Sequence, residues 1–203
     1  MNKTTKPSFC KNGSRPNCRR SPINKASARQ QQIAALKAYP QTQRDQETAA
    51  LVQQLSELPE WQAAQTVATT VSGPFEVATT GIIAAAETAG KQVLLPRVMP
   101  KRQMAFMPHP GADKLIRSKF GLLEPAFSAS LQNNAPDLVI VPGLAFARDS
   151  HKRLGFGGGY YDRFLSSFTG TTVALALPVQ DVATAFWPVD TFDISIQHIL
   201  TVN

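Results

Sequence analysis

Apolar positions along this chain follow two periods, and the switches between them mark out its elements. From Asn24, Ala28, Gln31 or Gln32, Ala35 and Leu36 fall on one helical face until Tyr39-Pro40 stops the run. Leu51, Leu55 and Leu58 form a second stripe, which predicts a helix over about residues 42–58 ended by Pro59. The period then shortens to two: Gln65 to Val71 predicts a first strand, closed by Ser72-Gly73-Pro74. Residues 75–79 lead into a helix with Ile82, Ile83 and Ala86 inward and Gly90 as its C-terminal cap. Lys91 to Val98 is almost continuously apolar, as in a parallel sheet covered on both faces, and 101–107 alternates as a third strand. Residues 114–127 hold only a short apolar patch, Phe120 to Pro125. Asp137 to Val141 and Thr171 to Leu177 read as buried strands on either side of a helix over 160–168, which lines up Tyr161, Phe164, Leu165 and Phe168. A loop and a terminal strand complete 190–201. Strands alternating with helices predict an α/β fold: a single three-layer domain over residues 23–203, its mostly parallel central sheet flanked by helices. Residues 1–22 carry almost nothing apolar and are expected to be a disordered basic tail.

Composition changes this picture little. The chain has 203 residues, 43% of them hydrophobic, enough for one substantial core. Its net charge of +7 is uneven, because residues 1–30 are rich in Lys and Arg and contain no Asp or Glu. The basic balance therefore belongs mainly to the tail, and a nucleic-acid partner is not expected of the folded body. Cys10 and Cys18 lie in that tail, fit no zinc spacing, and suggest free thiols in a reducing compartment. There is no apolar run long enough to cross a membrane and no secretory signal pattern, so the expected location is the cytoplasm, without a membrane partner.

One stretch promises chemistry. After the strand ending at Val141 come Pro142-Gly143, a basic segment with Lys152 and Arg153, and Gly155-Phe156-Gly157-Gly158-Gly159 at the start of a helix. A strand, a glycine-rich loop and a helix N-terminus suit a phosphate, because glycines let backbone N–H groups close on its oxygens. Arg153 adds a fork that matches two oxygens. A Walker-type loop is absent, and Tyr160 stands where a dinucleotide fingerprint needs its last glycine. Asp162, in the first turn, could help hold Mg²⁺ if Asp190 or Asp193 lies nearby. Lys25 and Arg29 share a helix face, as a solvated basic face also would. Arg97 ends a strand, the end at which α/β sheets bind ligands. Glu76 could be a simple helix-start acid.

Taken together, Pro142-Gly-Leu-Ala-Phe146 and Arg153-Leu-Gly-Phe-Gly-Gly-Gly-Tyr-Tyr-Asp-Arg-Phe-Leu165 closely resemble the signature of the 5-formyltetrahydrofolate cyclo-ligase family, also called methenyltetrahydrofolate synthetase. Lys25-Ala-Ser-Ala-Arg29, Glu76-Val-Ala-Thr79, Leu95-Pro96-Arg97, Gly121-Leu-Leu-Glu-Pro125, Asp137 to Pro142, Asp193 and Ile199-Leu-Thr201 extend the likeness over roughly residues 24–203. The resemblance implies an ATP-dependent ligase of one-carbon metabolism, with Mg²⁺ as cofactor and ATP and 5-formyltetrahydrofolate as its small-molecule substrates. It implies phosphorylation of the formyl oxygen, attack by N10, and release of 5,10-methenyltetrahydrofolate, ADP and phosphate. By the same resemblance, Lys25, Arg29, Arg153, Leu154, Gly155, Phe156, Gly157, Gly158 and Gly159 would bind ATP, with Lys25 and Arg153 catalytic. Glu76, Phe106, Tyr160, Tyr161 and Arg97 would bind the folate, with Arg97 or Lys101 meeting its anionic tail. Asp162 and Asp193 would hold the metal. The chain departs from the family pattern at His151, where glycine is usual, and at Phe192, where histidine is usual. A monomer is expected. The alternative reading is a non-catalytic folate- or nucleotide-binding module of the same fold.

Overall fold

In the computed structural model, which describes residues 23–118 and 121–202, side chains along each central strand point alternately into two separate cores. The chain runs α1 (Lys25–Ala38), α2 (Gln41–Glu57), α3 (Pro59–Ala63), β1 (Thr66–Ala68), α4 (Thr80–Thr88), β2 (Gln92–Met99) and β3 (Gln103–Pro108). It continues through β4 (Ile116–Arg117), β5 (Leu123–Glu124), β6 (Leu138–Ile140), β7 (Ala145–Ala147), β8 (Arg153–Leu154), α5 (Tyr160–Leu165), β9 (Thr171–Ala176), β10 (Asp181–Val182) and β11 (His198–Thr201). The main sheet has the order β11-β9-β6-β1-β2-β3, with every pairing parallel except the β2–β3 hairpin at one edge.

Because side chains alternate with a period of two, Val67, Val93, Leu95, Leu138, Ile140, Val173 and Leu175 face one side. There they meet Leu36 of α1, Leu51 and Leu55 of α2, and Ile82 and Ala86 of α4. Ala68, Leu94, Val139, Val141, Ala174 and Ala176 face the other side, toward Leu165 of α5, Phe146 of β7 and Phe106. The three-layer expectation holds, and the near-continuous apolar strands are those covered on both faces. The first helix begins where the apolar period begins: Asn24 caps it, its side chain accepting from the Ser27 N–H at 2.8 Å.

Several local expectations need correction. The first strand is only Thr66–Ala68, and the helix after the glycine loop stops at Leu165 instead of Phe168. The segment between Val141 and Arg153, in which the sequence pattern marks no strand, is a β-hairpin: β7 pairs antiparallel with β8 and parallel with β10 in a second sheet. Strands of two or three residues are too short for a period of two to register. The expected disordered tail, with Cys10 and Cys18, lies outside the described residues.

Candidate active site

Three parallel strands, β1, β6 and β9, deliver their carboxyl ends to one small cavity lined by Thr70, Ser72, Glu76, Ile140, Pro142 and Gln180, among others. That is where an open α/β sheet offers its ligand crevice. The turn after β1 is locked by reciprocal bonds: the Ser72 N–H donates to Thr79 Oγ1 at 2.9 Å, and the Thr79 N–H to Ser72 Oγ at 3.1 Å. The Gly73 N–H donates to Glu76 Oε2 at 2.5 Å, and a Cβ on Gly73 would lie 2.9 Å from that same oxygen. Gly73 is thus required for the carboxylate to fold back on its own turn. Burial holds the Glu76 carboxyl above the usual carboxylate range, with the Gly73 bond opposing only in part. The Tyr161 hydroxyl is buried without a hydrogen-bond partner. Its pKa is raised by burial and by the Glu76 charge, while Arg153 opposes. The Tyr161 hydroxyl is therefore a buried group with its hydrogen-bonding capacity unused.

The β7–β8 hairpin aims the glycine-rich loop. His151, where glycine was expected from the resemblance, does adopt the left-handed region with φ 55°. Its strain is offset locally, because its ring Nδ1 lies 2.8 Å from the Ile196 carbonyl and its own carbonyl accepts from the Ile196 N–H at 2.9 Å. Two residues on, Arg153 points inward. It is 7% exposed and donates from Nη1 to the Pro142 carbonyl at 3.1 Å. Its Nη2 lies 3.1 Å from Asp162 Oδ2, and the guanidinium sits 5.4 Å from the centre of the Tyr161 ring. Beyond it, Arg29 Nε donates to the Gly155 carbonyl at 2.8 Å, so α1 closes over the loop. Gly157 has φ 102°, and a Cβ there would lie 3.3 Å from the Arg29 guanidinium. The backbone N–H groups of Phe156, Gly157, Gly158 and Gly159 donate to no acceptor among the described residues. α5 is only six residues long, so its dipole adds less than a long helix would; the positive charge beside the loop comes from side chains.

Lys25 completes the arrangement from one turn earlier on α1. Its Nζ lies 2.6 Å from Asp190 Oδ2 and 2.8 and 2.7 Å from the two oxygens of Asp193. Burial alone would lower the Lys25 pKa, but bonds and charges from both aspartates outweigh it and raise the value. Lys152 Nζ donates to the Asp193 carbonyl at 2.5 Å. Either Asp190 or Asp193 was open as the second carboxylate, and the fold brings both to one point. Asp162 is engaged elsewhere, by Arg153, and no cluster of three or more His, Cys, Asp or Glu side chains poised to hold a metal occurs among the described residues. A two-carboxylate set does fit a magnesium ion that takes its remaining oxygens from water and phosphate.

A model of the 5-formyltetrahydrofolate cyclo-ligase family matches residues 22–202. The chain belongs to that family. It is 33% identical over 129 residues to a Schizosaccharomyces pombe relative, an alignment covering 61% of this chain and 63% of the other. It is 31% identical over 164 residues to the 5-formyltetrahydrofolate cyclo-ligase of Haemophilus influenzae, covering 76% of this chain and 87% of that one. The solved structure of Aquifex aeolicus 5,10-methenyltetrahydrofolate synthetase superposes with a TM-score of 0.75 at 27% identity, over 87% of this chain and 89% of that one.

Within this cyclo-ligase fold the expected site residues divide. Lys25 contacts Asp193; separately, Arg29 contacts the loop at the Gly155 carbonyl, and Arg153 contacts Asp162, so the two expected metal ligands, Asp162 and Asp193, have different partners. Glu76 lines the small cavity, whereas Tyr161 is buried against the Arg153 guanidinium. Phe106 does not join them: it is 0% exposed and packs on Phe164 at 4.9 Å, a core residue that its alternating strand pattern could not distinguish from a site residue. Tyr160 lines a different feature, an open groove of about 890 Å³ between β3 and α5. Arg97 is occupied by Glu124, whose Oε2 lies 3.6 Å away, and by the Pro125 carbonyl at 3.4 Å. Glu124 is 3% exposed, so Arg97 serves as its counter-charge. Sequence reasoning missed Gly73 and Gln180. The latter ties the strand ends together, donating from Nε2 to the Gly143 carbonyl at 2.7 Å and accepting from the Leu177 N–H at 3.1 Å. Nothing in the local pattern around Gln180 signals that role.

Proposed function

We propose that this protein closes 5-formyltetrahydrofolate to 5,10-methenyltetrahydrofolate at the expense of ATP. The observation that supports this most is the run of four unengaged N–H groups from Phe156 to Gly159, beside an arginine and a lysine that α1 presents one turn apart. Such a loop binds the oxygens of a polyphosphate, and Arg29 and Lys25 bring charge to them. Phosphoryl transfer demands positioning and charge neutralisation above all, and the site has no nucleophilic side chain to explain.

In this reading Glu76 and the orphaned Tyr161 hydroxyl hold the polar ring of the folate and turn its formyl oxygen toward the loop. The formyl oxygen takes the γ-phosphoryl group, and ADP leaves. N10 then attacks the activated carbon, the carbon–oxygen bond to phosphate breaks, and N10 gives up its proton. Loop N–H groups that contact the phosphoryl oxygens through the transfer lower the barrier without reorganising. Arg153, buried beneath the loop, orients it through Pro142 and Asp162. Asp190 and Asp193 would hold Mg²⁺, which when bound neutralises polyphosphate charge. Lys25 would then surrender at least one carboxylate and turn to the phosphates. Replacing Lys25 with Met should weaken Mg-ATP binding by about tenfold, the scale of one charge-assisted contact. Titration calorimetry checks this, and unchanged affinity would remove Lys25 from the phosphate site. Protein that binds both ligands without turnover would be the non-catalytic module.

A further inference from the structure

We propose that the exposed ring of Phe192 is the platform on which the purine base of the nucleotide stacks. This rests on the reading that ATP lies at Lys25 and Arg29, and it adds a residue that the family resemblance does not supply, since histidine is usual there. Phe192 is 68% exposed, more than any other large apolar side chain among the described residues. Single exposed apolar residues are ordinary, but this one is held in place. Its turn is closed by the Asp193 N–H on the Asp190 carbonyl at 3.1 Å and by the Asp190 N–H on Asp193 Oδ2 at 2.8 Å. Lys152 fixes the next carbonyl, and Lys25 fixes both flanking carboxylates. The backbone is therefore anchored on each side of a ring whose outer face meets solvent.

The ring's neighbour gives its direction. Lys25 Nζ lies 5.5 Å from the ring centroid, so the same ammonium that would meet phosphates borders the aromatic face. A nucleotide with its phosphates on the loop and on Lys25 leaves a flat base to be covered; Phe156, 46% exposed, sits inside the phosphate loop itself, whereas Phe192 presents its ring outside the loop beside Lys25. Every base has a π-face, and stacking on an aromatic side chain needs no hydrogen-bond pattern. The cavity lined by Glu76, which Phe192 does not line, is left to the folate.

The test is calorimetric titration of the full-length protein and of Phe192→Ala with Mg-ATP and, separately, with Mg-tripolyphosphate, which carries the phosphates without a base. The substitution should weaken ATP binding at least about fivefold, the lower end of base–aromatic stacking, and leave tripolyphosphate binding within about twofold. Phe192→Trp and Phe192→His, both planar, should keep most of the ATP affinity. Equal losses for both ligands, or no loss for ATP, would overturn the platform. Wild-type protein that binds neither ligand would overturn it together with the ATP reading. Base-dependent binding without cyclisation would contradict the proposed reaction alone.

Discussion

Glu76 is a buried carboxylate whose ionisation works against the fold. Its carboxyl titrates above the ordinary value of 4.5 because it is buried, so the folded state holds its proton more tightly than the unfolded chain does. Stability is therefore lost as pH rises through the folded-state value, and a neutral isostere escapes that loss. Glu76→Gln should melt higher than wild type at pH 7, and the difference should vanish below about pH 4.5. The same variant should turn over at least tenfold more slowly if the carboxylate orients the folate. A variant no more stable at pH 7 would show that the charge is better compensated than its burial suggests. Arg153→Ala should act in the opposite sense, destabilising the fold by about 2–3 kcal/mol. This falls below the roughly 3–5 kcal/mol of a fully buried pair, because Asp162 keeps part of its water. Denaturant unfolding measures it. The glycine-rich context singled out Arg153, whereas Lys25 and Arg29, by spacing alone a solvated basic face, entered the candidate site only through the family resemblance. Residue types and spacing could not show that Arg153 faces inward or that Arg97 is tied to Glu124, since both depend on partners brought together by the fold.

Among the elements, the glycine loop is governed by its supports. Gly157 combines a positive φ with the close approach of Arg29, so Gly157→Ala meets both backbone strain and a displaced guanidinium. Nucleotide affinity should fall about tenfold or more, by the same charge-assisted scale, and the backbone strain should lower the melting temperature by a few degrees, roughly 1–3 kcal/mol of lost stability. Equal affinity would mean that the loop does not hold phosphate through this geometry. His151 gives a second comparison. Its replacement by Ala keeps the left-handed strain and loses the ring bond to Ile196, so His151→Ala should be less stable than His151→Gly in the same melting experiment. The loop itself could be read from its glycines and the apolar run before it. The β7–β8 hairpin that aims it could not, because its pairing is fixed by contacts with β10, a strand of two residues.

At the scale of the whole molecule, the site is assembled from distant parts of the chain on a frame the hydrophobic pattern foretold. The period-two strands and period-3.6 helices set out the sheet and both cores, yet periodicity does not say that α1 and the last loop meet. That contact, from Lys25 to Asp190 and Asp193, ties the start of the described chain to its last loop, and in the proposed reading it sets a cation and two carboxylates beside the bound nucleotide. Residues 1–22 precede this frame, and deleting them should leave turnover and melting temperature nearly unchanged; a large loss in either would give the tail a role in the fold. The central claim is tested most directly by mixing the purified full-length protein with 5-formyltetrahydrofolate, ATP and Mg²⁺ and following the absorbance of the conjugated methenyl product. The expected result is product that appears only when ATP is present, in step with ADP. Product formed equally without ATP, or none from folded protein that binds both substrates, would contradict it.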